Sequence, residues 1–234
     1  MNILAIGPHL DDIEFGCGGI IALETRAGRA ANFVICSRGE AATHGTPEER
    51  TVEARQAAEL LGATVEFIDL DGDAHLELKA VHAVKLAATI RQVRPGIVLA
   101  PSLVENQHPD HARLGRLVRD ACRLARYGGV SELRHLPAHV IGQLYFYALT
   151  PEAEPRDITP LLVDISPPDI VQAWTNAMKA HASQGRTRNY AEVQLTRARS
   201  WGARANLQYA TPLFPNDPVV VGGLAPVSRG ARQF

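Results

Sequence analysis

Short apolar runs that stop at Gly, Pro or Ser alternate along the first half of this chain with longer stretches of helical spacing, and few folds accommodate that rhythm. Asn2–Ile6 ends at Gly7-Pro8 and Asn32–Cys36 ends at Ser37-Arg38-Gly39, with a helix-compatible segment from about Gly18 to Arg29 between them. Thr46-Pro47-Glu48-Glu49 has the layout of a capping box and opens a helix to Leu61. A strand at Thr64–Ile68, a helix at Glu77–Val93 stopped by Pro95-Gly96, a strand at Ile97–Ala100 and a helix at Asp110–Ala125 follow. Each intervening helix returns the chain to the same end of the sheet, so successive strands run parallel. The pattern predicts an α/β fold: a Rossmann-like three-layer sandwich with a mostly parallel central sheet whose strand order begins 3-2-1-4.

After Gly128-Gly129 the rhythm loosens. The expected elements are strands at Val140–Tyr147 and Leu161–Asp164, a helix after Pro167-Pro168, a second near Tyr190–Ala205, and an apolar tail at Val219–Val221. Thr150–Pro160 reads as a loop leaving the sheet, and no linker divides the 234 residues, so one domain over 1–234 is expected. With 46% hydrophobic residues the chain can bury a sizeable core. Its 24 Lys plus Arg against 25 Asp plus Glu, a net charge of −1, provide no field for nucleic acid or an anionic membrane. No stretch approaches the ~20 apolar residues of a membrane span. The three cysteines, Cys17, Cys36 and Cys122, fit neither a disulfide framework nor a metal knuckle, so a cytoplasmic location and a small-molecule partner are expected.

Two short clusters could carry chemistry: His9-Leu10-Asp11-Asp12 after the first strand and His108-Pro109-Asp110-His111 after the fourth. In a sheet that begins 3-2-1-4, these strands are neighbours where the winding reverses, and ligands bind outside their carboxyl ends. Three imidazoles and three carboxylates exceed what one metal needs. His9, Asp12 and His111 suit a two-His, one-carboxylate set with an open position, and Asp11 is left beside it. Zinc lowers the pKa of water towards ~7, and a free carboxylate can take the proton and return it to a leaving amine. His108 remains to stabilise a developing oxyanion, with Asp110 to hold its ring.

Plainer readings stand beside these. An Asp after a strand often caps a helix, and Asp110 divides evenly between cap and catalytic support. Gly16-Cys17-Gly18-Gly19 lacks phosphate-loop spacing and reads as close helix packing, with Cys17 a small buried residue rather than a ligand. Arg38, Glu40 and Arg50 flank the loop after the second strand, where Arg50 could meet a hydroxylated or anionic substrate. His44, His75, His82, His135, His139 and His181 have no partner at ligand spacing.

Together the two clusters resemble the LmbE-like (PIG-L) zinc-dependent N-deacetylases, whose signatures are a His-Pro-Asp-Asp-type loop after the first strand and a later His-Pro-Asp-His-type loop. The match extends through Glu14-Phe15-Gly16-Cys17-Gly18-Gly19, Ser37-Arg38-Gly39-Glu40, His44 to Arg50, Asp164-Ile165-Ser166, Ser183-Gln184 and Tyr209-Ala210. The longer pattern is similar to the bacillithiol-biosynthesis branch, which deacetylates N-acetylglucosaminyl malate. The resemblance implies Zn2+, with Fe2+ able to serve, on His9, Asp12 and His111. It implies Asp11 as general base, His108 with Asp110 as transition-state stabiliser, and Arg50 and Glu14 at the substrate. It also implies a homo-oligomer, with a hexamer the expected form. Leu10 departs from the family's proline, and Asn106-Gln107 are no family signature. Two alternatives stay open: an amidohydrolase acting on another amide, such as a thiol-sugar conjugate or antibiotic intermediate, and a non-catalytic Rossmann-like protein holding a sugar nucleotide.

Overall fold

A computed structural model describes residues 2–105, 108–186, 188–224 and 229–231. Its elements in chain order are β1 (Ile3–Gly7), α1 (Asp12–Arg26), β2 (Ala31–Ile35), α2 (Pro47–Leu60), β3 (Ala63–Phe67), α3 (Ala80–Val93) and β4 (Ile97–Pro101). There follow α4 (Pro109–Arg126), β5 (Gln143–Tyr147), β6 (Leu161–Asp164), α5 (Pro168–Ala180), α6 (Tyr190–Ala203) and β7 (Ala210–Pro215). Among the described residues they build a seven-stranded sheet of order β3-β2-β1-β4-β5-β7-β6, so the expected 3-2-1-4 beginning holds. β1 to β5 pair in parallel, while β7 runs antiparallel to both β5 and β6.

Strand periodicity divides the core into two layers. Ile3 and Ala5 of β1 face a cluster that takes Ile20 and Ile21 of α1, Ala54 of α2, Trp174 of α5 and Leu195 of α6. Leu4 and Ile6 face the other side, against Leu86 and Ile90 of α3 and Leu114 and Val118 of α4. Because both faces are covered, the inner strands are largely apolar, and in Ile3–Gly7 all five residues are buried. The Thr46 capping box is present, with Glu49 N–H donating to Thr46 Oγ1 at 3.2 Å and Thr46 N–H to Glu49 Oε2 at 3.0 Å.

The structure corrects the start of one helix and adds a strand. α1 starts at Asp12, immediately after the His9 cluster, not near Gly18. Its glycines lower helix propensity but let neighbours approach. A Cβ on Gly16 would collide with the Tyr147 ring, and one on Gly18 or Gly19 would stand 2.8 Å from Trp174 or Ile165. The seventh strand is Ala210–Pro215, whose two prolines hide it. The apolar tail at Val219–Val221 lies outside the regular elements, and its side chains are exposed. Asn106 and Gln107 lie outside the described residues, and no helix among those described is long and apolar enough to cross a membrane.

Candidate active site

β1 and β4 are adjacent and in parallel register, Ile3 opposite Ile97 and Ala5 opposite Leu99, so their carboxyl ends emerge together. Each runs into a loop and then a helix whose first turn carries one cluster. Asp11 is the N-cap residue of α1 and Asp12 its first residue, and His108 is the N-cap residue of α4. Two helix N-termini, each with a positive dipole end, therefore converge on one spot.

Asp12 joins the clusters. Its Oδ2 accepts the His9 backbone N–H at 2.9 Å and lies 2.9 Å from His9 Nδ1, while its Oδ1 lies 3.2 Å from His111 Nε2. One ligand atom from each of these three residues falls within a 4.8 Å group, all at least largely buried. Two imidazole nitrogens and a carboxylate oxygen at this spacing fit a divalent transition metal with an open position. His9 turns its other nitrogen, Nε2, to Asp73 Oδ1 at 3.1 Å and Asp110 Oδ2 at 3.5 Å. That is the carboxylate support which usually orients a metal-binding imidazole. His9, Asp73, His108 and Asp110 form a second group of possible ligands, but it shares His9 and reads as the partner shell of the first.

The charges lock one another. Burial alone would lower the His9 pKa, but the Asp12 charge and hydrogen bonds to Asp110, Asp12 and Asp73 outweigh it and hold the ring well above its ordinary value. Burial would likewise raise Asp12, and the facing His111 and His9 hold it well below. Asp73 is also lowered, burial being outweighed by hydrogen bonds to His108 and His9.

Asp11 sits at the N-cap yet makes no side-chain cap, and its carboxylate faces the cavity. Its contact is Arg50 Nη2, 3.5 Å from Oδ1. Arg50 is 4% exposed, lies along the cavity wall, and donates from Nη1 to Gly39 O at 3.4 Å. Gly39 has φ +70°, and a Cβ there would occupy the guanidinium's place. The Asp110 backbone N–H donates to His108 Nδ1 at 3.4 Å and holds the ring through that nitrogen, with Nε2 turned the other way. Asp110's carboxylate is 4.0 Å from His108 and instead accepts the Ala74 N–H at 2.8 Å. The carboxylate nearest His108 Nε2 is that of Asp73, at 3.6 Å.

Glu14, expected at the substrate, is fully buried and does not line the cavity. It lies beneath, 3.5 Å from His181 Nε2. Burial raises its pKa, only partly opposed by His181. Leu10 is buried in the core, and Cys17 is a buried thiol pushed well up by burial. His75, His82 and His139 bond main-chain oxygens, those of Asp73, Glu77 and Pro95. Asp73 is the site residue that sequence reasoning missed. It comes from the loop after β3, two strands from the crevice, which folds back through positive φ at Asp71, Gly72 and Ala74. Its N–H donates to Glu40 Oε2 at 3.0 Å. The Asp-Gly-Asp turn was the available signal.

His9, Asp11, Asp12, Arg50, Asp73, His108 and His111 form the floor of a cavity of about 970 Å³, roomy for a small molecule. A family model described as PIG-L, GlcNAc-PI de-N-acetylase, matches residues 4–122, which contain every residue of this floor. The chain is 30% identical over 196 residues to a diacetylchitobiose deacetylase of Thermococcus kodakarensis, covering 78% of this chain and 70% of that protein. In structure it resembles a conserved protein of Thermus thermophilus (TM-score 0.84, 30% identity, 98% of this chain and 100% of that one). It also resembles GalB, the 4-carboxy-2-hydroxymuconate hydratase of Pseudomonas putida (TM-score 0.77, 27% identity, 96% and 100%).

Proposed function

The chain belongs to the PIG-L family of de-N-acetylases, and from that premise we propose that it is a metal-dependent N-deacetylase that hydrolyses the acetamide of a small N-acetylglucosaminide to an amine and acetate. The observation that carries this reading is a carboxylate outside the His9, Asp12 and His111 set, that of Asp11, which lines the same cavity and is paired with Arg50. The substrate we favour within that class is N-acetylglucosaminyl malate, and the metal is zinc, with iron(II) able to occupy the same donors.

His9, Asp12 and His111 hold the ion, which when bound supplies Lewis acidity towards the amide carbonyl and makes water more acidic. Asp11 accepts a proton from the attacking water and delivers it to the departing nitrogen, so one carboxylate serves both halves of the reaction. His108 offers Nε2–H to the oxyanion as it forms, and the backbone N–H of Asp110 holds the ring through Nδ1. Asp73 and Asp110 fix the His9 ring through Nε2. Arg50 steadies Asp11 and brings a buried cation to the wall that the sugar meets.

A second reading, a metal-dependent hydratase, is favoured by the near full-length likeness to GalB. Both reactions use activated water, but one breaks a C–N bond and the other adds water across C=C. The test is acetate release from N-acetylglucosaminyl malate and N-acetylglucosamine, beside loss of ultraviolet absorbance from 4-carboxy-2-hydroxymuconate. Acetate from either glucosaminide with no hydration supports the deacetylase. Hydration without acetate release overturns it in favour of the second reading.

A further inference from the structure

The loop between β3 and α3, residues 68–79, carries Asp73 across two strands to the reactive floor. Its turn is strained, since Asp71 and Ala74 have φ of +65° and +64°, where residues with a Cβ are uncommon. Such a conformation persists only where contacts on several sides impose it. On the inner side, the Asp73 N–H donates to Glu40 Oε2 at 3.0 Å and the Ala74 N–H to Asp110 Oδ2 at 2.8 Å.

Asp71, which does not line the cavity, holds the outer side. Its Oδ1 accepts from Lys79 Nζ at 2.9 Å and lies 3.4 Å from His82 Nε2, and its Oδ2 accepts the Glu77 N–H at 3.3 Å. The Lys79 hydrogen bond, reinforced by the Glu77 N–H, holds the Asp71 carboxyl below its ordinary range, so it is ionised at neutral pH. These partners stand at the start of α3, where Lys79 is the N-cap residue, makes no side-chain cap, and no acidic residue follows in the first turn. Asp71 thus supplies from outside the helix the negative charge that its positive end favours. α3 is itself anchored, with Leu86 and Ile90 in the core and Arg91 donating to Ala125 O and Tyr127 O beyond the end of α4.

We infer that Asp71 is a positioning residue. By tying the strained turn to α3, it sets the place of Asp73, 3.1 Å from His9 Nε2 and 3.6 Å from His108 Nε2, and through Asp73 the orientation of a metal-holding imidazole. This role rests on the metal-site reading given above and adds to that site a residue outside the cavity. An exposed ion pair does little for stability, whereas the carboxylate partner of a ligating imidazole changes metal affinity by about 10–100-fold. A positioning role and a merely structural one therefore differ in what they move.

The experiment measures zinc affinity, by competition with a chromophoric chelator, for wild type, Asp71→Gly, Asp71→Asn, Asp73→Ala and the Asp71→Gly, Asp73→Ala double variant. Glycine removes the carboxylate and relieves the positive φ together, so a loss there comes from the missing tie. Asp71→Gly should weaken zinc binding by about tenfold while Tm falls by no more than about 4 °C. Asp71→Asn, which tolerates positive φ and keeps an acceptor for the Glu77 N–H, should recover part of the loss. On the Asp73→Ala background the further change Asp71→Gly should weaken binding by less than about twofold, because the route through Asp73 is already cut. Unchanged zinc affinity in Asp71→Gly, or the full loss repeated on top of Asp73→Ala, overturns the inference. If the wild type takes up no zinc, the metal-site reading fails instead. The His9 ring nitrogens, followed by nitrogen-15 NMR, then decide the role of Asp71: a shift in Asp71→Gly that is absent on the Asp73→Ala background supports it, and an unchanged signal overturns it.

Discussion

Asp11 occupies the position of a helix-capping aspartate and does not cap, so its carboxylate is available to the cavity. Replacing it by Asn should leave metal content and folding intact and slow turnover about 10²–10⁴-fold, the range for a lost general acid–base group. Metal analysis beside acetate release reads both outcomes. A second prediction concerns the thiols. Cys17 and Cys36 are buried and raised by burial, and Cys122 is pushed up to about 12, so all stay protonated at pH 8. A thiol-specific chromogenic reagent should find almost no reactive cysteine in the native chain and three after unfolding. Most of the residues on the cavity floor were legible because His and Asp cluster within four positions after two apolar runs. Glu14 was misread for a geometric reason. It follows Asp12 by two positions on α1, about 200° around the helix, and so points away from the cavity. Asp73 was missed because its strand lies outside the central pair.

At the level of elements, Arg91 of α3 ties the helical layer together. Its guanidinium is buried and donates to the carbonyls of Leu124, Ala125, Tyr127, Leu133 and Leu136, which close the end of α4 and the turn after it. Arg91→Met should cost about 3 kcal/mol, because it leaves several buried carbonyls unpaired. For a chain of this size that lowers Tm by roughly 6–12 °C, measurable by circular dichroism. Helices with strong end signals were legible, as Thr46 and Pro47 show for α2. α1 was read late because Gly16, Gly18 and Gly19 are poor helix formers, and the reason they are tolerated, Tyr147 and Trp174 packed against them, is supplied by distant sequence. β7 escaped because Pro212 and Pro215 argue against an interior strand, yet it pairs with all of the short β6 and with β5 at only Tyr145 and Phe146.

Across the whole molecule, the reversal of winding between β1 and β4 turns two short motifs into one site, and this was readable from the alternation alone. The antiparallel β7 was not, since it depends on how the looser second half returns to the sheet. Metal should couple to the stability of this assembly. At free zinc about 1,000-fold above Kd the gain is about 4 kcal/mol, or roughly 8–16 °C in Tm, reversed by chelation. The gain should be larger at pH 8 than at pH 6. In the metal-free chain the raised His9 stabilises the fold below its unfolded value of about 6.5, and that contribution is lost as pH rises through the higher folded value. Protons thus compete with metal most at the lower pH. The most direct test of metal-dependent deacetylation is acetate release with metal content on wild type, Asp11→Asn and His111→Ala. One metal per chain and turnover are expected in the wild type, one metal and at least about 100-fold slower turnover in Asp11→Asn, and neither in His111→Ala. Wild-type turnover that survives complete metal removal, or an Asp11→Asn variant as fast as the wild type, would contradict it.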